Sequence, residues 1–348
     1  LSGGESLLAV LAAVEVDARL GSVAGGTFQQ LGFHPTGLVS VFGATLAVSR
    51  CLGADSAAMI RAQGIALSMA SGSMAFLDDG SWTKRLHPGW AASSAITAGA
   101  LGHAGFDGPK EAYAGRYGFY ALYTRDADTD LSPVLDQLFQ RWEMLSVAIK
   151  PYPVCHFNHA AIDAALALRA EQSLQADAIE RVTVQLHERQ FSVVCEPEHA
   201  KRQPQSDYDA KFSIQYAVAT ALIKGRFGLE ELNTESREDP RVLALCQRIS
   251  FEHSDESHYP DYFSGGIRIE TSSGTTLRQF ETVNRGAAGR QLSSSAVKEK
   301  FLQNLQLTAD QSRAEKVWQA IMHLESQPDT QELMSAIRGG VRSAGGRR

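Results

Sequence analysis

Three features of the sequence predict an α+β fold in which a mainly helical domain is formed from both ends of the chain and a smaller α+β unit is inserted between them. Apolar residues recur at helical spacing over residues 1–147, strand-like alternation appears within 148–290, and helix signals return over 291–348. The 348 residues suffice for two cores.

Ser2 is placed to cap a first helix whose apolar positions include Leu7, Leu8, Leu11, Val14 and Leu20. A second helix is predicted from about Leu38 to Leu52, stopping at Gly53, and a third from Ser56 to Ala70, capped by Asp55. Ala, Gly and Ser occupy many helical positions, so the helices should pack closely. "ERVTVQLHE" reads as a strand, "FSVVCE" as another, and "GGIRIETSSGTTLRQFETV" as two strands about a Ser-Gly turn. "NHAAIDAALALRAEQ" and "FSIQYAVATALIKG" read as helices, the second closing on Gly225. Thr308 with Gln311 and Asp329 with Glu332 form capping-box patterns; Gly339-Gly340 ends the last helix, and "RGGVRSAGGRR" reads as a frayed tail.

The net charge of −6, with no long block of either sign, disfavours a generic grip on nucleic acid or anionic lipid. No apolar run approaches the roughly 20 residues of a membrane span, and no signal-peptide pattern opens the chain. Cys51, Cys155, Cys195 and Cys246 are scattered, which suggests neither a disulfide framework nor a zinc or iron-sulfur set. The expected compartment is the reducing cytoplasm, and the opening Leu1 suggests a chain that begins inside a longer protein.

Four stretches could carry chemistry. "FLDDGSWTKRLHPGWAA", residues 76–92, reads as a loop leading into a helix. Its two Trp are expected to be buried at a site, and Lys84, Arg85 and His87 gather at a helix N-terminus, where cations and dipole both favour a bound carboxylate. A packed structural loop is the plainer alternative. In "GFHPTG", residues 32–37, Pro35 holds His34 extended and Thr36 is placed to cap a helix, which aims His34 into a cleft; a turn with a satisfied imidazole is the alternative. In "IKPYPVCHFNHAAID", residues 149–163, Pro151 holds Lys150 extended, and His156 and His159 flank Asn158, a candidate cap. A metal site on Cys155, His156 and His159 lacks a further ligand cluster. Tyr216 sits on an amphipathic helix, where packing is the ordinary role. G-x-G-x-x-G after a strand, P-loop, G-x-S-x-G and H-E-x-x-H are absent, which counts against dinucleotide oxidoreductases, nucleotide hydrolases, serine esterases and zincins.

Taken in order, "GFHPTG", "GSWTKRLHPGWAA", "GRYGFY", "KPYPVCHFNHAAIDAAL" and "KFSIQYAVATALIKGRFGL" resemble the MmgE/PrpD family, which includes 2-methylcitrate dehydratase, cis-aconitate decarboxylase and iminodisuccinate epimerase. The resemblance implies a helical domain with an inserted lid domain, an active site between the two, and a homodimer. It places the family's active-site histidine on His34, its lysines on Lys84 and Lys150, and its tyrosine on Tyr216, with His156 in the matching lid motif. Arg85, His87 and His156 are the expected substrate-binding residues; neither cofactor nor metal is expected. The family's further N-terminal helical segment, which supplies an Asp and a His to the pocket, is expected to be missing. The implied function is a cofactor-independent lyase of the 2-methylcitrate dehydratase type, acting on a small di- or tricarboxylate by proton abstraction next to a carboxylate. An epimerase or decarboxylase is the near alternative. An inactive truncated homologue that binds a polycarboxylate or a partner subunit is the alternative of another class.

Overall fold

A computed structural model describes residues 1–172 and 174–338. The expected helix stop at Gly339-Gly340 and the tail beyond it lie outside the described residues. The chain forms two compact units, one from residues 1–146 together with 301 onward, the other Val147–Lys300. The architecture is mainly helical α+β, with one small mixed sheet. Among the described residues, no helix is long and apolar enough to cross a membrane.

The first unit is built on α1 (Gly3–Val23), α2 (Pro35–Cys51), α3 (Ser56–Leu67) and α4 (Thr83–His103). Ser2 caps α1 through a capping box with Glu5, and Asp55 caps α3 by accepting from the Ala58 N–H. Leu20, Phe28, Leu38, Val41, Phe42 and Phe119 fill the core, and the Tyr120 hydroxyl donates to the Leu20 carbonyl at 2.7 Å. The small residues act where helices cross. A Cβ on Gly43 would collide with the Ala13 carbonyl and the Asp17 carboxyl, and one on Gly102 would collide with Ala58 and Ala62. Gly43→Val should therefore destabilise this unit by about 1–3 kcal/mol, the usual cost of overpacking a close-packed interior. A urea melt showing no change would refute so tight a crossing.

In the second unit the strands β1 (Ile179–Leu186), β2 (Ile249–His253), β3 (Gly265–Thr271) and β4 (Thr276–Glu281) lie in the order β2-β1-β3-β4. β1 and β2 run parallel; the other pairs are antiparallel. The helix α5 (His159–Glu171) packs on β3 and β4, and α6 (Ile214–Lys224) packs on α5. Ser213 caps α6, and Gly225 closes it with a φ of 70° that a side chain would strain. After α7 (Ser294–Gln306), the helices α8 (Gln311–Met322) and α9 (Gln331–Arg338) complete the described chain.

Several local expectations are corrected. "FSVVCE" is no strand: His187 and Gln190 form a capping box that turns the chain, and Phe191–Val194 is a single helical turn. β2 was not anticipated. α3 ends at Leu67 rather than Ala70. The N-cap residue of α2 is His34, with Thr36 already inside the first turn. Asn158 occupies the N-cap position of α5, but its side chain makes no capping hydrogen bond; its amide donates instead to the Lys211 and Ser213 carbonyls. α8 is capped by Asp310, whose carboxylate reaches the Arg313 N–H, and not by Thr308. The stretch 76–92 is no loop, because Phe76–Asp79 is a helical turn and α4 begins at Thr83 with Pro88 inside it. That helical phase turns Trp82 and Trp90 outward, 65% and 51% exposed, where burial was expected.

Candidate active site

The first unit brings His34 and His87 together. A short antiparallel bridge between Phe33 and Ser73, with the His34 N–H donating to the Gly72 carbonyl at 3.0 Å, fixes the extended segment before α2. His87 projects from the first turns of α4, and the two Nδ1 atoms stand 2.8 Å apart. Gly72, at a φ of 148°, sits beside both; a Cβ there would press on the Gly37 Cα at 3.3 Å and touch the His34 carbonyl and the His87 ring. The Phe76 ring meets the edges of both imidazoles, with centroids 5.8 and 6.1 Å away, and Lys84 Nζ lies 5.5 Å from its centre. Burial first, and the Lys84 ammonium second, hold His87 below its ordinary pKa. His87, Phe76, Asp79, Gly72 and Trp90 line an open depression of about 460 Å³. Arg85 instead lies over the Trp82 ring, 4.9 Å from its centre.

The second unit gathers another set. Lys150 is exposed, and its Nζ donates to the Val154 carbonyl at 3.3 Å; Lys300 Nζ donates to the Lys150 carbonyl at 2.6 Å. Burial and the neighbouring Lys150 charge both lower the pKa of Lys300. The Phe263 N–H donates to Asn284 Oδ1, which turns the amide so that Nδ2 donates to His156 Nε2 at 3.0 Å. His156 therefore carries its proton on Nδ1 when neutral. Burial, then Lys150, pushes its pKa down to about 4, and burial drives His159 well below its usual range. Beneath them Asp163 Oδ1 accepts from the Tyr152 hydroxyl at 2.6 Å and from Arg285 Nε at 3.0 Å.

Tyr216 belongs to the hydrophobic core of the second unit. It is fully buried in the core of its unit, its hydroxyl donates to the Glu231 carbonyl, its ring meets Phe227, and burial pushes its pKa up to about 12. Lys300, Asn284 and Arg285 were missed in the sequence, because isolated charged or amide residues far from the motif offer no spacing signal; Asp163 closes the 149–163 stretch but carries no signal of its own there. Among the described residues, no group of three or more His, Cys, Asp or Glu is placed to hold a metal ion.

Comparison with known proteins extends the geometry. Residues 1–132 match the MmgE/PrpD N-terminal domain and residues 152–326 the MmgE/PrpD C-terminal domain. The first match shows that the family's N-terminal domain is present in this chain. The chain is 24% identical to the cis-aconitate decarboxylase-like protein oryM of Aspergillus oryzae, over 97% of this chain and 72% of that one. It is 24% identical to cis-aconitate decarboxylase of Aspergillus terreus, over 99% and 72%. A shorter match, 32% over 34% of this chain and 24% of the relative, is to the mitochondrial 2-methylcitrate dehydratase of Yarrowia lipolytica. Matched by both domains over most of its length, the chain belongs to the MmgE/PrpD family.

Proposed function

We propose that this protein is a lyase that acts on a small di- or tricarboxylate through a carbanion formed next to a carboxylate, with elimination of water as in 2-methylcitrate dehydratase. The observation that carries this reading is the His34–His87 pair with Lys84 against one aromatic wall at the start of α4. A carbon acid beside a carboxylate is weak, so the site must offer both a base and fixed positive charge for the growing anion. In this reading His34 is the base, and Lys84 with the N-terminal dipole of α4 draws the negative charge. Arg85 is assigned to the rim, where it attracts the substrate.

Lys150 and Lys300, with Arg285, supply a second cationic set for carboxylate binding, and His156 offers a neutral ring donor beside it. Tyr216 enters only if its hydroxyl leaves Glu231; we assign it to holding α6 in place. The reading includes a cytoplasmic homodimer. Leu86, Trp90 and Ile96, exposed on α4, and Trp82 just before it are apolar surface that a second copy would cover.

Decarboxylation is the second reading, favoured because the match to the fungal decarboxylases spans nearly the whole chain. Dehydration forms a carbanion by loss of a proton and then expels hydroxide, whereas decarboxylation forms one by loss of carbon dioxide and then takes up a proton, so both need the growing negative charge held beside a proton-transfer group. Incubation with 2-methylcitrate, cis-aconitate and iminodisuccinate, following alkene absorbance and carbon dioxide release, distinguishes them. We expect turnover of the first. Carbon dioxide from cis-aconitate would establish the second reading, and binding without turnover would leave a polycarboxylate-binding homologue.

A further inference from the structure

Two imidazole nitrogens can stand 2.8 Å apart only if one carries hydrogen and the other presents its lone pair. We propose that His87 is a positioning residue for His34: its Nδ1 accepts the Nδ1–H of His34, which fixes the His34 tautomer and leaves Nε2 as the unprotonated nitrogen that takes the substrate proton. The catalytic consequence rests on the reading of His34 as base; the tautomer itself does not.

The direction of the bond follows from where a positive charge is tolerated. During turnover the substrate C–H bond breaks, its electron pair stays on the carbon beside the carboxylate, and the proton forms a new N–H bond on an imidazole. The pair then shares three protons and one charge. His87 is the worse place for that charge: it is only 9% exposed and has the Lys84 ammonium on its own helix. His34 is more exposed, on the extended segment before α2. Asp79 lines the depression from the helical turn 76–79 with its carboxylate accepting from the Ser81 N–H at 2.9 Å, and the Phe76 ring between the elements is neutral. The imidazolium is thus His34, and an imidazolium beside a neutral ring must donate to it. Since the bridging proton occupies Nδ1, the proton that comes and goes is the one on Nε2. The logic is that of a base whose far nitrogen is held by an acceptor, with a neutral imidazole in the usual carboxylate's place.

Imidazole nitrogen NMR of the unmodified chain at neutral pH tests this. His34 should show a protonated Nδ1 and an unprotonated Nε2, with nitrogen-nitrogen coupling across the bridge to His87. In His87→Leu the acceptor is gone, and His34 should revert to the Nε2–H form that imidazoles prefer in water. His87→Asn, whose side-chain oxygen lies near the lost Nδ1, should keep the Nδ1–H form. If the lyase reading holds, the Leu variant should lose about 10–100-fold in kcat, as when an orienting partner is removed, while the Asn variant keeps most of it. An Nε2–H tautomer of His34 in the unmodified chain overturns the proposal, as does a His34 spectrum unchanged in His87→Leu. Should His87→Leu fail to fold, the unmodified chain and His87→Asn still decide. Absence of turnover on every carboxylate would sink the lyase reading alone.

Discussion

Lys84→Met is expected to lower kcat by about 10²–10³ while leaving the fold intact, the loss seen when one preorganised group facing a developing anion is removed. The ammonium is held over the Phe76 ring and close enough to His87 to depress its pKa, so its charge is directed at the imidazole pair. In bulk water a neighbouring charge is worth little, but between groups half-buried at a protein surface it is screened less. The substitution keeps the aliphatic stem and removes only the charge. Lys84 is half-buried, so the stability change should stay within about 1 kcal/mol. A second readout separates charge from packing: with the ammonium gone, the pKa of His87 should rise toward its ordinary 6.5, followed by its ring carbon-proton shifts. Turnover within twofold of the unmodified enzyme would remove Lys84 from the chemistry.

What the sequence disclosed was periodic, and what it hid was tertiary. Helical spacing, the Ser2 and Asp55 caps and the Ser273-Gly274 turn are local signals, and the structure places them as the residues dictate. "FSVVCE" misled because a short β-branched run fits a strand or a turn of helix equally, and the capping box at His187 decides between them. The Trp-rich stretch misled for a related reason. Its Gly and Pro suggested a loop, yet Pro88 lies inside α4, past the first turn in which a missing N–H costs nothing, and the helix continues through it. At the candidate site, His34, Lys84 and His87 were each identified in sequence, but the Nδ1–Nδ1 contact joins residues 53 positions apart and has no sequence signal. The Asp163–Tyr152–Arg285 cluster likewise depends on β4 and the chain after it returning to α5.

The two units should respond to acid with opposite signs, through Asp17 and His156. Asp17, on α1, accepts from the Gly43 N–H at 3.0 Å at the tight crossing with α2, and burial raises its pKa from 3.8 to about 7. The folded state therefore keeps a proton that the unfolded chain releases. Its contribution is full below pH 3.8 and is lost as pH rises toward 7, up to about 4 kcal/mol. Asp17→Asn keeps an acceptor for Gly43 and cannot ionise, so it should stabilise the protein by about 2–4 kcal/mol at pH 8 and by little at pH 4. His156 runs the other way. Its pKa falls from 6.5 to about 4, so the unfolded chain takes up a proton that the folded unit refuses, and stability is lost as pH falls from 6.5 to 4. Partial exposure reduces this to about 2 kcal/mol. His156→Gln, whose oxygen can still accept from Asn284, should thus gain on the unmodified chain as pH falls, while Asp17→Asn gains as pH rises. His87, lowered in the first unit, and Asp163, raised in the second, act against these trends but are common to each variant and its parent, so they cancel in the difference. Urea unfolding at pH 4, 6 and 8 measures both differences. A flat Asp17→Asn difference across that range would mean that the carboxyl at the α1–α2 crossing is ionised when folded, and that the crossing is wetter than the packing of Gly43 against Ala13 allows.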